Sequence, residues 1–80
     1  MKYREIDMEA TGRNIRELRI RAGLSVRRLQ EKMGFADPQA IYHWQQGKTL
    51  PNLDNLLLLS ELLGVPVEEI LVMREAGDGE

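Results

Sequence analysis

The sequence predicts an all-α domain. Apolar residues recur at helical spacing in five segments, four of those segments stop at a glycine, and strand-like alternation shows only weakly, over Tyr3 to Met8. Eighty residues suffice for one core, so every helix has to bury a face.

The first helix is expected from Thr11 to Ala22, with Ile15, Leu18 and Ala22 inward and Gly23 as its stop. The second runs from Val26 to Met33. Ser25 caps it, Val26, Leu29 and Met33 face inward, and Gly34 ends it. The third runs from Pro38 to Gln46, with Asp37 as N-cap, proline at the first helical position and Gly47 beyond the end. The fourth, Leu53 to Leu63, lies between Asn52 and Gly64, and the fifth is short, Val67 to Met73. Glycine just past a helix end supplies the left-handed residue that closes the last turn. The chain thus divides into an N-terminal arm (1–10), a helical domain (11–73) and a polar tail (74–80) expected to be disordered. Helix four carries Leu53, Leu56, Leu57, Leu58, Leu59, Leu62 and Leu63, more than one face can hold. Either the helix is buried on two sides, or Leu58, Leu59 or Leu62 reaches a second copy. Ile6 and Met8 are the other candidates for a dimer contact.

Composition narrows the chemistry. There is no cysteine, so neither a disulfide framework nor a thiolate metal site is available. No apolar run approaches the ~18 residues of a membrane span, and the opening MKYREIDMEA has no signal-peptide core. A cytoplasmic location, with no membrane partner, is the expectation. The single histidine, His43, has no nucleophile near it in sequence, the carboxylates are scattered, and no glycine-rich phosphate loop or ligand cluster is visible. Neither an enzyme nor a metal or other cofactor is expected.

Net charge is −2, but it is unevenly spread. Residues 1–48 hold ten Lys/Arg against six Asp/Glu, and residues 49–80 hold one against seven. A basic half is the electrostatic footprint of nucleic-acid binding, although charges that simply solvate helix faces give the same count.

The stretch Ser25 to Gly47 decides between those readings. Two short helices cross at a tight turn there, an arrangement that can push the second helix into a groove of DNA. Burying Ile41 and Trp44 leaves Gln39, Tyr42, His43 and Gln46 as an outward stripe of hydrogen-bonding tips. Glutamine can bond adenine in a two-pronged way, and Gln39 is placed to do so. His43, one turn later, can donate to guanine or to phosphate. Affinity then comes from phosphate contacts, for which Arg27 and Arg28 at the start of helix two, and Lys48 and Thr49 after helix three, are the candidates. The amides that open helices two and four can also hold phosphate.

The segments NIRELRIRAGLS, LQEKMGF and IYHWQQGKTLPNLDNLLLLSELLGVPVEEIL resemble the phage-repressor and Cro-like (XRE-type) helix-turn-helix family over about Thr11 to Val72. The resemblance implies a compact five-helix, lambda-repressor-like domain that binds operator DNA, commonly as a dimer, and regulates transcription. It makes Pro38 to Gln46 the recognition helix and places base-reading positions at Pro38, Gln39 and His43, with Tyr42 beside them. It sets Lys48 in the phosphate-contacting loop and pairs Arg19 with the residue after Trp44, here Gln45. Four features depart from the family pattern, the first being that the neutral Gln45 stands where the family often has a glutamate as partner of the helix-one arginine. Val26 replaces a phosphate-touching glutamine, so that contact is either lost or moved to Arg27. Gln30 stands where a small alanine is favoured and has to point outward or widen the helix crossing. The turn from Gly34 to Ile41 is one residue longer.

The expected function is sequence-specific binding of a double-stranded DNA operator by a homodimer, with repression by occupancy. The alternatives are an antitoxin-type autorepressor with a small protein partner, and an interaction module that has lost DNA binding.

Overall fold

Five helices and a two-stranded antiparallel sheet make up residues 2–77, the part of the chain that the computed structural model describes. The order is β1 (Lys2–Ile6), α1 (Met8–Arg21), α2 (Val26–Met33), α3 (Gln39–Gln45), α4 (Leu53–Leu63), α5 (Val67–Ile70) and β2 (Met73–Gly77). Every helix contributes to one core: Ile15 and Leu18 from α1, Leu29 and Met33 from α2, Ile41 and Trp44 from α3, Leu56, Leu59 and Leu63 from α4, and Ile70 from α5. Fully burying such a side chain contributes about 1.5–3 kcal/mol, which is why five short helices hold together.

Local chemistry fixes the helix ends. Ser25 Oγ accepts from Arg28 N at 3.0 Å and Asn52 Oδ1 from Asn55 N at 2.8 Å. Gly34 and Gly64 close α2 and α4 with φ of 78° and 71°, in the left-handed region that side chains avoid.

Several sequence expectations need correction. The fold is not purely all-α, because β1 and β2 pair from Lys2↔Gly77 to Ile6↔Met73. The arm therefore forms a strand and the first turn of α1, and residues 74–77 of the expected disordered tail form a strand; Asp78, Gly79 and Glu80 lie outside the described residues. Helix α1 starts three residues early, at Met8, because Asp7 Oδ1 accepts from Ala10 N at 3.0 Å and caps it. Helix α3 starts at Gln39, after Pro38, and α5 is a single turn ending at Ile70. Ala22 is exposed, and the inner side of α1 is completed by Thr11, Gly12 and Arg19. The leucine surplus on α4 also lies elsewhere than expected. Leu59 is fully buried and Leu58 and Leu62 pack against the core, so the exposed pair is Leu53 and Leu57, at 78% and 59%.

The ends of the fold are tied together at Val72. Its N–H donates to Thr11 Oγ1 at 2.9 Å, and its carbonyl accepts from Asp7 N at 2.8 Å. Asn14 Nδ2 donates to the Glu69 and Ile70 carbonyls at 2.6 and 3.0 Å, which satisfies the end of α5.

Gly12 has no room for a side chain. A Cβ there would overlap the Trp44 carbonyl oxygen and lie 2.7 Å from the Gln45 carbonyl oxygen and 2.9 Å from Gly47 N, all of them backbone atoms. Alanine in a helix interior ordinarily gains about 0.5–1 kcal/mol over glycine. At Gly12 overpacking wins, and Gly12→Ala is expected to lose about 1–3 kcal/mol net, read as a lower midpoint in urea unfolding. A midpoint equal to or above that of the parent would refute the tight crossing.

Candidate nucleic-acid interface

Helix α3 is held by its inner side and offers its outer side. Ile41 is fully buried and Trp44 nearly so, with the Trp44 ring edge-on to Phe35 at a centroid distance of 5.8 Å. That leaves Gln39, Tyr42 and Gln46 exposed and His43 and Pro38 half-buried. Asp37, Pro38, Gln39, Tyr42, His43, Gln46 and Lys48 line one open surface depression. The five side chains expected to read bases thus share one face with one of the four expected to hold phosphate.

The helix start is set by Asp37, whose Oδ1 accepts from Gln39 N at 2.9 Å. That bond satisfies one amide of the helix opening and fixes where the Gln39 side chain leaves the backbone. At the other end, Gln46 N donates to the Tyr42 carbonyl at 2.9 Å and Gly47 N to the Trp44 carbonyl at 3.0 Å. Lys48 N then donates to the His43 carbonyl at 2.9 Å, so the Lys48 loop is folded back onto the helix. Gly47, at φ 74°, lies against α1, where a Cβ would be 3.0 Å from Glu9 Cα and 3.1 Å from the Met8 carbonyl oxygen. Thr49 is exposed just beyond Lys48 and lies outside the depression.

Arg27 and Arg28 are exposed on α2, and both lean on Glu31. Arg27 Nε lies 3.8 Å from Glu31 Oε2, and Arg28 Nη1 lies 3.4 Å from Glu31 Oε1. The sequence reading overlooked Glu31, although its spacing of four and three residues from the two arginines marks it as their neighbour on one helix face. It also treated Asp37 as a cap only, whereas Asp37 lines the depression as well. The amides at the helix openings are partly spoken for, since Ser25 and Asn52 each accept from one of them. Val26 is half-buried against the core, and Gln30, also half-buried, donates to the Phe35 carbonyl at 3.3 Å. Gln30 is therefore engaged with the turn between α2 and α3, which it ties off.

Behind α3, Arg19 is almost fully buried. Its Nε donates to Gln45 Oε1 at 2.9 Å and its Nη1 to the Leu24 carbonyl at 2.7 Å. A buried guanidinium with two neutral acceptors keeps α3 in register with α1 and with the turn before α2. Arg19→Met keeps most of the stem but removes both donors. Stranding partly buried acceptors costs about 1–3 kcal/mol, and the expected result is a lower urea midpoint with an unchanged slope. An unchanged midpoint would show that Arg19 holds nothing.

With this geometry in view, the chain is similar to solved structures that include the following three. One is the restriction-modification controller protein C.AhdI from Aeromonas hydrophila, at 30% identity and a TM-score of 0.71, covering 80% of this chain and 96% of that one. Another is the DNA-binding domain of BldD from S. venezulae, at 26% identity and a TM-score of 0.69, covering 81% and 96%. The clp gene regulator ClgR from C. glutamicum, at 24% identity and a TM-score of 0.67 over 79% and 80%, shares the fold. No curated protein matches the chain at a significant level. The helix-turn-helix family matches over residues 15–70, more than half the length, and the chain belongs to that family.

Proposed function

We propose that the protein is a DNA-binding transcriptional regulator that presents α3 to the major groove. The observation that carries this reading is the gathering of Gln39, Tyr42, His43 and Gln46 round one open depression with Lys48, while Ile41 and Trp44 of the same helix are inside. A B-form major groove admits one helix, and amide and imidazole tips read base edges there. Gln39 bonds adenine, His43 bonds guanine or a phosphate, and Tyr42, Gln46 and Pro38 border them. Lys48, Thr49, Arg27 and Arg28 supply the sequence-independent attraction to phosphates. Similarity to a controller protein and to a DNA-binding domain supports the assignment.

In this reading the protein acts in the cytoplasm, by binding rather than by catalysis. Two copies occupy half-sites about one helical turn apart, roughly 34 Å, on one side of the duplex. Occupancy excludes polymerase and represses transcription. Selection of bound duplexes from a random-sequence pool at low salt tests it. An enriched, two-fold symmetric sequence is the expected outcome. A pool that stays random would favour the interaction-module reading instead.

Two substitutions separate reading from holding. Gln39→Ala is expected to lose about 1–3 kcal/mol of discrimination at one base position and little affinity for random DNA. Equal loss on both kinds of DNA would count against base contact. Glu31→Gln is expected to tighten binding to every sequence several-fold and to steepen the dependence of log K on log salt. The arginines beside Glu31 are exposed, so little stability is lost with the ion pairs. An unchanged salt slope would mean that Arg27 and Arg28 stay clear of phosphate.

A further inference from the structure

Among the described residues that line the depression beside α3, Asp37 is the one carboxylate. A fixed negative charge opposes binding to every duplex unless the DNA sets a hydrogen-bond donor against it. The position of Asp37 is held twice. Its Oδ1 accepts from Gln39 N at 2.9 Å, and the ring of Pro38 restricts the backbone just before it. A carboxylate has two oxygens and about four lone-pair sites, and the bond to Gln39 N uses one of them. Asp37 is exposed, and among the described residues no ion pair and no second hydrogen bond engages it. The depression therefore carries, next to Gln39, a fully charged acceptor with bonding capacity left over.

We infer that Asp37 is a specificity-determining residue that selects a cytosine through its exocyclic amino group. The inference rests on the reading of α3 as the helix in the major groove, and deepens it by naming one base. Of the four bases, only cytosine and adenine present an amino donor in that groove. Guanine presents N7 and O6 and thymine presents O4, all acceptors that a carboxylate repels. The amino group of adenine lies between two acceptors, its own N7 and O4 of the paired thymine. That of cytosine has one acceptor beside it, O6 of the paired guanine, and a C–H on its other side, so the carboxylate separates the two bases as well. Gln39 answers adenine with a donor and an acceptor together, and the two neighbours thus read different bases. Two residues span at most about 7 Å along the chain, which sets the cytosine within about three base steps of the position that Gln39 reads. Rejection contributes as much as acceptance, because a duplex with an acceptor at this position leaves a carboxylate unpaired in the groove.

Selection from a random-sequence pool, run in parallel with the parent and Asp37→Asn, tests the assignment. Asparagine caps a helix as well as aspartate does, so the variant is expected to keep the parent's urea midpoint while losing the charge. The parent is expected to enrich cytosine about tenfold over the other bases at one position. Asp37→Asn is expected to lose that preference alone and to bind random DNA more tightly. Glu31→Gln removes a carboxylate outside the depression and is expected to keep the cytosine preference, which separates base reading from a general effect of charge. A second probe is the selected duplex with N4-methylcytosine at that position, where the methyl group replaces the amino hydrogen that faces the major groove. The parent is expected to bind it about tenfold less tightly than the unmodified duplex, and Asp37→Asn to bind it with little loss. The methyl probe on the parent needs no variant, so it decides the matter even if Asp37→Asn unfolds. A parent that selects no cytosine within about three base steps of the Gln39 position, an Asn variant that selects the same sequence as the parent, or a parent indifferent to the methyl group would each overturn the assignment and leave the DNA reading in place. A parent that enriches no sequence at all removes both.

Discussion

At Gly12 the backbone of α1 lies against the backbone of the last turn of α3, with the Trp44 and Gln45 carbonyls in the space that a side chain would fill. This close approach carries Trp44 into the core beside Phe35 and lets Arg19 reach Gln45. Once Ile41 and Trp44 are inside, helical geometry leaves no choice about what faces out. The candidate reading surface is a consequence of how α3 is seated, and its orientation is only as exact as that seat. A neutral partner for Arg19 is enough, because the guanidinium also has the Leu24 carbonyl.

Charge on this molecule is arranged locally. A net charge of −2 sits badly with a polyanionic partner if it is averaged over the surface. The depression instead has Lys48 on its rim, neutral hydrogen-bonding tips across most of it, and one carboxylate, Asp37, that is engaged with Gln39 N. Outside the depression, on α2, Glu31 holds Arg27 and Arg28 in loose, solvent-exposed pairs. Such pairs are cheap to break, so the arginines can exchange a carboxylate for a phosphate without a large cost. A surface of this kind favours selectivity over raw attraction, since much of the attraction for duplexes of any sequence comes from unopposed cations.

The legible parts of the fold were those written in neighbouring residues. Ser25, Asn52 and the glycines after α2 and α4 announce helix ends within a few positions, and Trp44 against Gln39 and His43 announces which side of α3 is inside. The sheet could not be read in the same way. Its strands pair Ile6 with Met73, far apart in sequence, and neither strand has an apolar alternation strong enough to stand alone. The start of α1 was hidden because Asp7 closes a weak strand pattern and caps a helix at once. Gly12 read as an unremarkable residue in a helical pattern, since only the approach of α3 gives its missing side chain a meaning. The α4 leucines were ambiguous for a related reason: periodicity shows a surplus, but the packing of α2 and α5 decides that Leu53 and Leu57 carry it.

The sheet that escaped the sequence bears on the candidate interface by position. Asp7 leaves β1, caps α1 and donates to the Val72 carbonyl, one residue before β2. The turn that Asp7 caps contains Met8 and Glu9, whose backbone atoms lie against Gly47. Lys48 follows directly and is folded back onto the His43 carbonyl. One helical turn is therefore shared by the chain ends on one side and the loop bearing Lys48 on the other. Pairing the ends costs conformational entropy that five strand pairs repay only in part. The return is a first turn of α1 that is capped and tied at its start, at the place where fraying would loosen the loop that carries Lys48 to the depression.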